Sequence, residues 1–234
     1  MIDWSWRLQL TLECFQNSRP LLYHLTDRRN LARIQNSSKL IPAAILIANS
    51  GHSDLLRMRR RNHEVITIKE DVIRLRDQAP LREGNAAFLV GYTFGDFKED
   101  LNSRVFFWPG NYDGPIPYGI RHFERYRDER PVIIRTSVES MMKANPDTEP
   151  QFCVYNSGSP RCSKGKKSPR GPDTFTPAAA FFGVPSQVVE VTFNREISLP
   201  DDSQVGSSPT GPWRRLRLEC AAHWCPSRTH FPRL

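Results

Sequence analysis

The 234 residues contain only five cysteines, Cys14, Cys153, Cys162, Cys220 and Cys225, an odd number at irregular spacing. That pattern argues against a disulfide framework and makes a reducing, cytoplasmic compartment the expectation. No stretch approaches the roughly 18 to 20 continuous apolar residues of a membrane span, so no membrane partner is expected. The opening MIDWSWRLQLTLECF has neither a basic n-region nor a small-residue cleavage site, and it does not read as a signal peptide. C-x-x-C pairs are missing, and the order Cys220, His223, Cys225, His230 matches no usual zinc spacing, so no metal is assigned. Neither G-x-G-x-x-G after a strand nor G-x-x-x-x-G-K-[ST] occurs, which excludes the commonest dehydrogenase and NTPase phosphate cradles. There is no nucleophile elbow, no Ser-His-Asp set and no internal repeat.

Positive charge is abundant. Lys and Arg number 33 against 25 Asp and Glu, a net +8, which favours an anionic partner or else only a soluble basic surface. With 38% apolar and 25% charged residues the chain is globular and long enough to bury a substantial core.

The hydrophobic pattern predicts an amphipathic opening over residues 3–16 and a buried strand in RPLLYHLT. A helix in DRRNLARIQNSSKLIPA follows, capped by Thr26 or Asp27, with Leu31 and Ile34 on one face. SDLLRMRRRN reads as a short basic helix from Ser53, HEVITI as a strand, DVIRLRDQAPLREGN as a helix and turn, and RVFFWPG as a strand. YGIRHFERYRDERP reads as a helix stopped by Pro131, VIIRTS as a strand, and VESMMKANP as a helical turn or two. Residues 156–177 are rich in Gly, Ser and Pro and read as a surface loop, in which Arg161, Lys164, Lys166, Lys167 and Arg170 precede the first acid. Alternation resumes in a strand from Val188 to Phe193. Beyond Leu199 the pattern fails. The expectation is an α+β domain with split sheets and short helices over residues 1–200, and a basic, unstructured tail over 201–234.

LYHLTDRRNLARIQNSSKLIPA resembles the opening motif of the ADP-ribosyltransferase superfamily, in particular the DarT-type enzymes that modify DNA bases. Tyr23, His24, Thr26, Asn30 and Leu31 match its strand end and helix start. GHSDLLRMRRRNHEV is similar to the family's Gly-His-Ser segment with paired arginines, matched by Gly51, His52, Ser53, Arg60 and Arg61. VVEVTFNREISLP is similar to the strand that delivers its single glutamate, which falls on Glu190. FCVYNSGSPR and PRGPDTF are similar also to uncharacterised bacterial domains with the same Tyr-His opening. NYDGPIPYGIRHFERYRDE has no counterpart in the family's pattern.

The resemblance implies NAD+ as substrate, bound by Tyr23, His24, Thr26, Asn30 and Gly51, with Glu190, Arg60 and Arg61 catalytic. It implies a nucleic-acid acceptor, single-stranded by preference, and for a toxin- or defence-like enzyme a neutralising antitoxin. Cleavage of the nicotinamide–ribose bond passes through an oxocarbenium-like state, which a carboxylate beside the ribose 2′-hydroxyl stabilises. His24 is expected to donate to a ribose hydroxyl, on a strand neighbouring that of Glu190 and facing the same cleft. The basic loop from Arg161 to Arg170 is the expected nucleic-acid contact. Local readings of the same residues stay open. Glu190 also suits a solvent-facing position among the polar Gln187, Thr192 and Asn194, Thr26 and Asn30 suit helix caps, and Arg57, Arg59, Arg60 and Arg61 suit a solvated basic face. A non-catalytic nucleic-acid-binding module on the same fold, and an NAD-dependent RNA 2′-phosphotransferase, are the alternative functions.

Overall fold

The computed structural model describes residues 8–82, 88–160 and 168–219. Its backbone is organised by β-branched and aromatic runs that have little choice but to pair. Leu21–Thr26 forms β1, Lys39–Leu40 β2, Glu64–Ile68 β3, Asp71–Leu75 β4, Val105–Asn111 β5, Gly114–Pro115 β6 and Val132–Ser137 β7. Gln151–Cys153 forms β8, Thr176–Pro177 β9, Glu190–Phe193 β10, Ile197–Ser198 β11, Gln204–Gly206 β12 and Trp213–Arg215 β13. The α-helices are α1 (Leu12–Ser18), α2 (Leu31–Ser37), α3 (Ala43–Ser50), α4 (Phe94–Asn102), α5 (Pro117–Arg125) and α6 (Val138–Ala144). None is long and apolar enough to cross a membrane, among the described residues.

The main sheet runs β13-β12-β7-β1-β5-β10-β8-β9, with β6 on β5, and every pairing is antiparallel. The chain is therefore a mixed α/β domain built on antiparallel sheets. One pairing is incomplete. β1 pairs with β7 along its whole length, from Leu21↔Ser137 to Thr26↔Val132. Its ladder to β5 stops at Tyr23↔Trp108, whereas Val105–Phe107 of β5 pair on their other side with β10. The sheet thus opens between His24–Thr26 and Val105–Phe107.

Four apolar clusters hold this frame. Phe15, Phe107, Phe152 and Phe193 fill the largest, under α1 and α6, and each contributes about 2 to 3 kcal/mol by burial. On the opposite side Phe123 of α5 packs with Tyr23, Trp108 and Ile133. A Cβ on Gly119 would lie 2.9 Å from Trp108 Cβ, so glycine is what lets α5 sit directly on β5. Phe97 and Leu101 of α4 pack with Phe88 and Phe175, and α3 packs on the β3–β4 hairpin through Ile47, Ile66 and Ile73.

Three expectations are corrected. The segment from Asp71 is a strand, because Ile73 and Leu75 alternate inward against α3. The basic helix from Ser53 is only the 3-10 turn Ser53–Leu56, and the arginines beyond it lie in irregular chain. The tail does not begin at residue 201. β12 pairs with β7 (Val205↔Ile134), and Val205 and Leu216 join the core, so a few well-spaced apolar residues suffice for a strand here. Helices α3 and α4 were not anticipated, although α4 carries a capping box between Thr93 and Asp96. Cys220, His223, Cys225 and His230 lie outside the described residues.

Candidate active site

A cavity of about 840 Å³ lies along the parting of β1 and β5, within the range of small-molecule and cofactor sites. It is lined by His24, Leu25 and Thr26 from β1, Val105, Phe106 and Trp108 from β5, Glu190 from β10, and α5, the end of β4 and the 154–159 segment. Among the described residues nine Arg or Lys side chains line it against four carboxylates; three of the nine pair with acids outside the lining (Arg33 with Asp71, Lys39 with Glu196, Arg104 with Asp100), and a smaller positive excess remains.

Glu190 is 4% exposed, which excludes the solvent-facing reading. Its Oε1 accepts a hydrogen bond from the Ser157 backbone N–H at 3.1 Å, while Oε2 has no hydrogen-bond partner among the described residues. Burial pushes the carboxyl up to about 7, against the opposing pull of Ser157 and of the Arg170 charge. The carboxyl on the cavity wall thus has one oxygen anchored and the other buried without a hydrogen-bond partner among the described residues.

His24 shares the cavity, but β5 stands between its strand and that of Glu190. The pleat also separates them: His24 falls on the Leu22 and Phe107 side, Glu190 on the side of Thr192 and Phe106. The expectation that the two side chains face one cleft from neighbouring strands is therefore corrected: they project from opposite faces of non-adjacent strands, and both border the large cavity that runs along the opening. The Nδ1 of His24 lies 2.9 Å from the Phe106 carbonyl, in the stretch of β5 left unpaired towards β1. A carbonyl can only accept, so Nδ1 carries the proton, and burial pulls the ring's pKa down to about 4. The other ring nitrogen, Nε2, is therefore an acceptor. This reverses the expected donation to a ribose hydroxyl.

The other expected residues divide. Thr26 is buried and lines the cavity, and Asn30 lines it with both ends of its amide on the Arg74 backbone, Nδ2 to the carbonyl and Oδ1 from the N–H, each at 2.9 Å. Asp27, and not Thr26, accepts the capping bond from the Arg29 N–H. Tyr23 points away into the Trp108 cluster, its hydroxyl donating to the Asn111 carbonyl, so it is not a cavity residue. Gly51 caps α3 at φ +77° and Arg61 is exposed, and neither lines the cavity. Arg60 is 6% exposed, with Nε donating to the Arg76 carbonyl (2.9 Å) and Nη1 to Asn102 Oδ1 (3.0 Å). Arg60 also lines the cavity, so it is a cation tied to the backbone at the cavity wall. Arg59 donates to the Ala79 carbonyl and Arg57 pairs with Asp96 and Glu99, so the arginine run is tethered.

Arg170 is corrected from a surface contact to a buried tie. It is 2% exposed, lies over the Tyr155 ring at 4.2 Å, and donates to the carbonyls of Asn156, Ser157 and Ser168. It thereby clamps the segment that supplies Ser157 to Glu190. Arg161, Lys164, Lys166 and Lys167 lie outside the described residues.

Several cavity residues were not foreseen. Arg76 stacks on Tyr126 at 4.1 Å with Nη1 buried and without a hydrogen-bond partner among the described residues. His122 accepts from Trp108 Nε1 through Nδ1 at 3.2 Å, and burial and nearby Arg76 pull its pKa down to about 3. Tyr118, Arg121, His122 and Arg125 all line the cavity at spacing i, i+3, i+4, i+7. That spacing was the available signal, hidden because the stripe is polar.

The site makes a pH-dependent prediction. His24 and His122, neutral when folded, lose stability as pH falls below 6.5, where the unfolded chain takes up protons first. Glu190 acts oppositely, since its raised folded pKa costs stability as pH rises from 4.5 through about 7. Between pH 7 and 5 the wild type should lose only about 2 kcal/mol, and Glu190→Gln about 4 kcal/mol, since the compensation is gone. Urea denaturation at the two pH values measures this. Equal losses in both proteins would contradict the assigned shifts.

The chain belongs to the family DUF7002, described as a family of unknown function, whose model matches residues 20–203. No curated protein and no solved structure matches it.

Proposed function

We propose that the protein transfers ADP-ribose from NAD+ to a nucleic acid, a base in single-stranded DNA being the favoured acceptor. The observation that carries this reading is Glu190, a buried carboxylate with an uncommitted oxygen on a cationic cavity that it shares with His24. The resemblance of the His24 and Glu190 segments to ADP-ribosyltransferases, and a sheet that opens between β1 and β5, support it further.

In this reading Glu190 Oε2 accepts from the 2′-hydroxyl of the nicotinamide ribose, and its charge stabilises the oxocarbenium ion as the C1′–N bond breaks. Nicotinamide leaves with the bonding electrons, the acceptor nitrogen forms the new bond to C1′, and its proton passes to solvent. His24 Nε2 accepts from a ribose hydroxyl and fixes the sugar. Arg76 offers its guanidinium edge to a donor phosphate oxygen.

Nicotinamide release, measured by chromatography with NAD+ and a single-stranded oligonucleotide, should rise with pH and level off above about 7, as Glu190 ionises. A protein that neither binds NAD+ nor releases nicotinamide at any pH would refute the reading. One observation favours a second: the excess of arginine around the cavity suits an NAD-dependent RNA 2′-phosphotransferase, and loss of phosphate from 2′-phosphorylated RNA would select it. Oligonucleotide binding without turnover would select a non-catalytic module.

A further inference from the structure

We infer that Arg121 and Arg125 of α5 form the nucleic-acid contact at the mouth of the cavity, holding backbone phosphates of a single strand. The inference rests on the reading of the acceptor as a nucleic acid, and it names a contact separate from Arg161, Lys164, Lys166 and Lys167, which lie outside the described residues.

Both arginines are exposed and both line the cavity, which places them at its rim. They lie one turn apart on one helical face, about 6 Å along the axis. The position of that face is dictated by Gly119, which seats α5 against Trp108. The Arg121 guanidinium carbon lies 4.6 Å from the Tyr118 ring centroid, and Tyr118 in turn stacks within 12° of parallel on Trp108. A cation–π contact of this kind restrains the guanidinium without using its N–H donors, which remain free to fork onto a phosphate. Neither arginine has an ion pair among the described residues; of the acids beside them, Glu124 pairs with Arg127 and Glu129 with His63 and Arg74. Two uncommitted cations at the entrance to a site that acts on a base fit a strand whose base enters while its backbone stays outside.

The test is the double variant Arg121→Gln/Arg125→Gln, conservative for an exposed helix and checked for fold by its thermal melt. The probe is a fluorescein-labelled single-stranded oligonucleotide, followed by anisotropy across a salt series. Affinity should fall on the order of tenfold at low salt, and the log–log slope should flatten by about 1.4, two phosphates at roughly 0.7 each. NAD+ affinity, by calorimetry, should change less than about twofold. Unchanged oligonucleotide affinity and slope would overturn the inference. So would a loss confined to NAD+, which would give these arginines to the donor phosphates. Wild-type protein that releases no nicotinamide, while the variant still loses the oligonucleotide, would refute the transfer reading and leave this contact standing.

Discussion

If the protein acts as proposed, Glu190→Gln should lower turnover by about 100- to 1,000-fold while leaving NAD+ affinity within a few-fold. The amide keeps the shape of the side chain and its acceptor for the Ser157 N–H, so the cavity is preserved. What it loses is the charge that meets the developing cation. The same substitution should stabilise the protein. At pH 8 the wild type carries a carboxylate whose pKa burial has raised from 4.5 to about 7, and removing that charge should return about 3 kcal/mol. Loss of the proposed turnover together with a gain in stability would be the signature of a group placed for function at the expense of stability. Wild-type turnover in the variant would remove Glu190 from the chemistry, and a loss of stability would contradict its buried charge.

Arg60→Ala should cost about 3 kcal/mol of stability, with little effect on the turnover of the molecules that remain folded. Arg60 donates to the Arg76 carbonyl and to Asn102 Oδ1, and Asn102 in turn donates to the Leu56 carbonyl. Gln78 completes the network, accepting from the Arg60 N–H and donating to Asn102. Removing the guanidinium leaves the Arg76 carbonyl without that donor and opens a cavity where α4, β4 and the 56–60 segment meet. Equilibrium unfolding gives the first quantity, and turnover at low temperature, per folded molecule, the second. A variant as stable as the parent yet inactive would restore Arg60 to the catalytic role that the resemblance suggested.

The strands were legible where residue type and period agree. RPLLYHLT, RVFFWPG, VIIRTS and VVEVTF are apolar enough to have one plausible fate, and β1, β5, β7 and β10 form there. DVIRL was not, because its five residues carry two charges and suit either period, and only packing of Ile73 and Leu75 on α3 decides for a strand. The β12 and β13 edge was invisible for a related reason: three-residue strands have too few apolar positions to show alternation.

The site shows the same division. Glu190 and His24 were nameable because short local patterns surround them, and they do border one cavity. That β5 would separate their strands is a matter of topology, which no local pattern contains. Arg170 was misjudged because a loop rich in Gly, Ser and Pro hides a buried arginine that satisfies four backbone carbonyls. The α5 stripe was passed over because a polar helical face ordinarily points to solvent, and only the tertiary fold turns it to a cavity mouth.

The most direct test of the central claim is transfer of label. Wild-type protein and Glu190→Gln are incubated with adenine-labelled NAD+ and, separately, single-stranded DNA, RNA and protein. The proposed function requires label on a nucleic acid, single-stranded DNA foremost, with nicotinamide released in equal amount and neither event in Glu190→Gln. Absence of label from every pool, or labelling that survives Glu190→Gln undiminished, would contradict it.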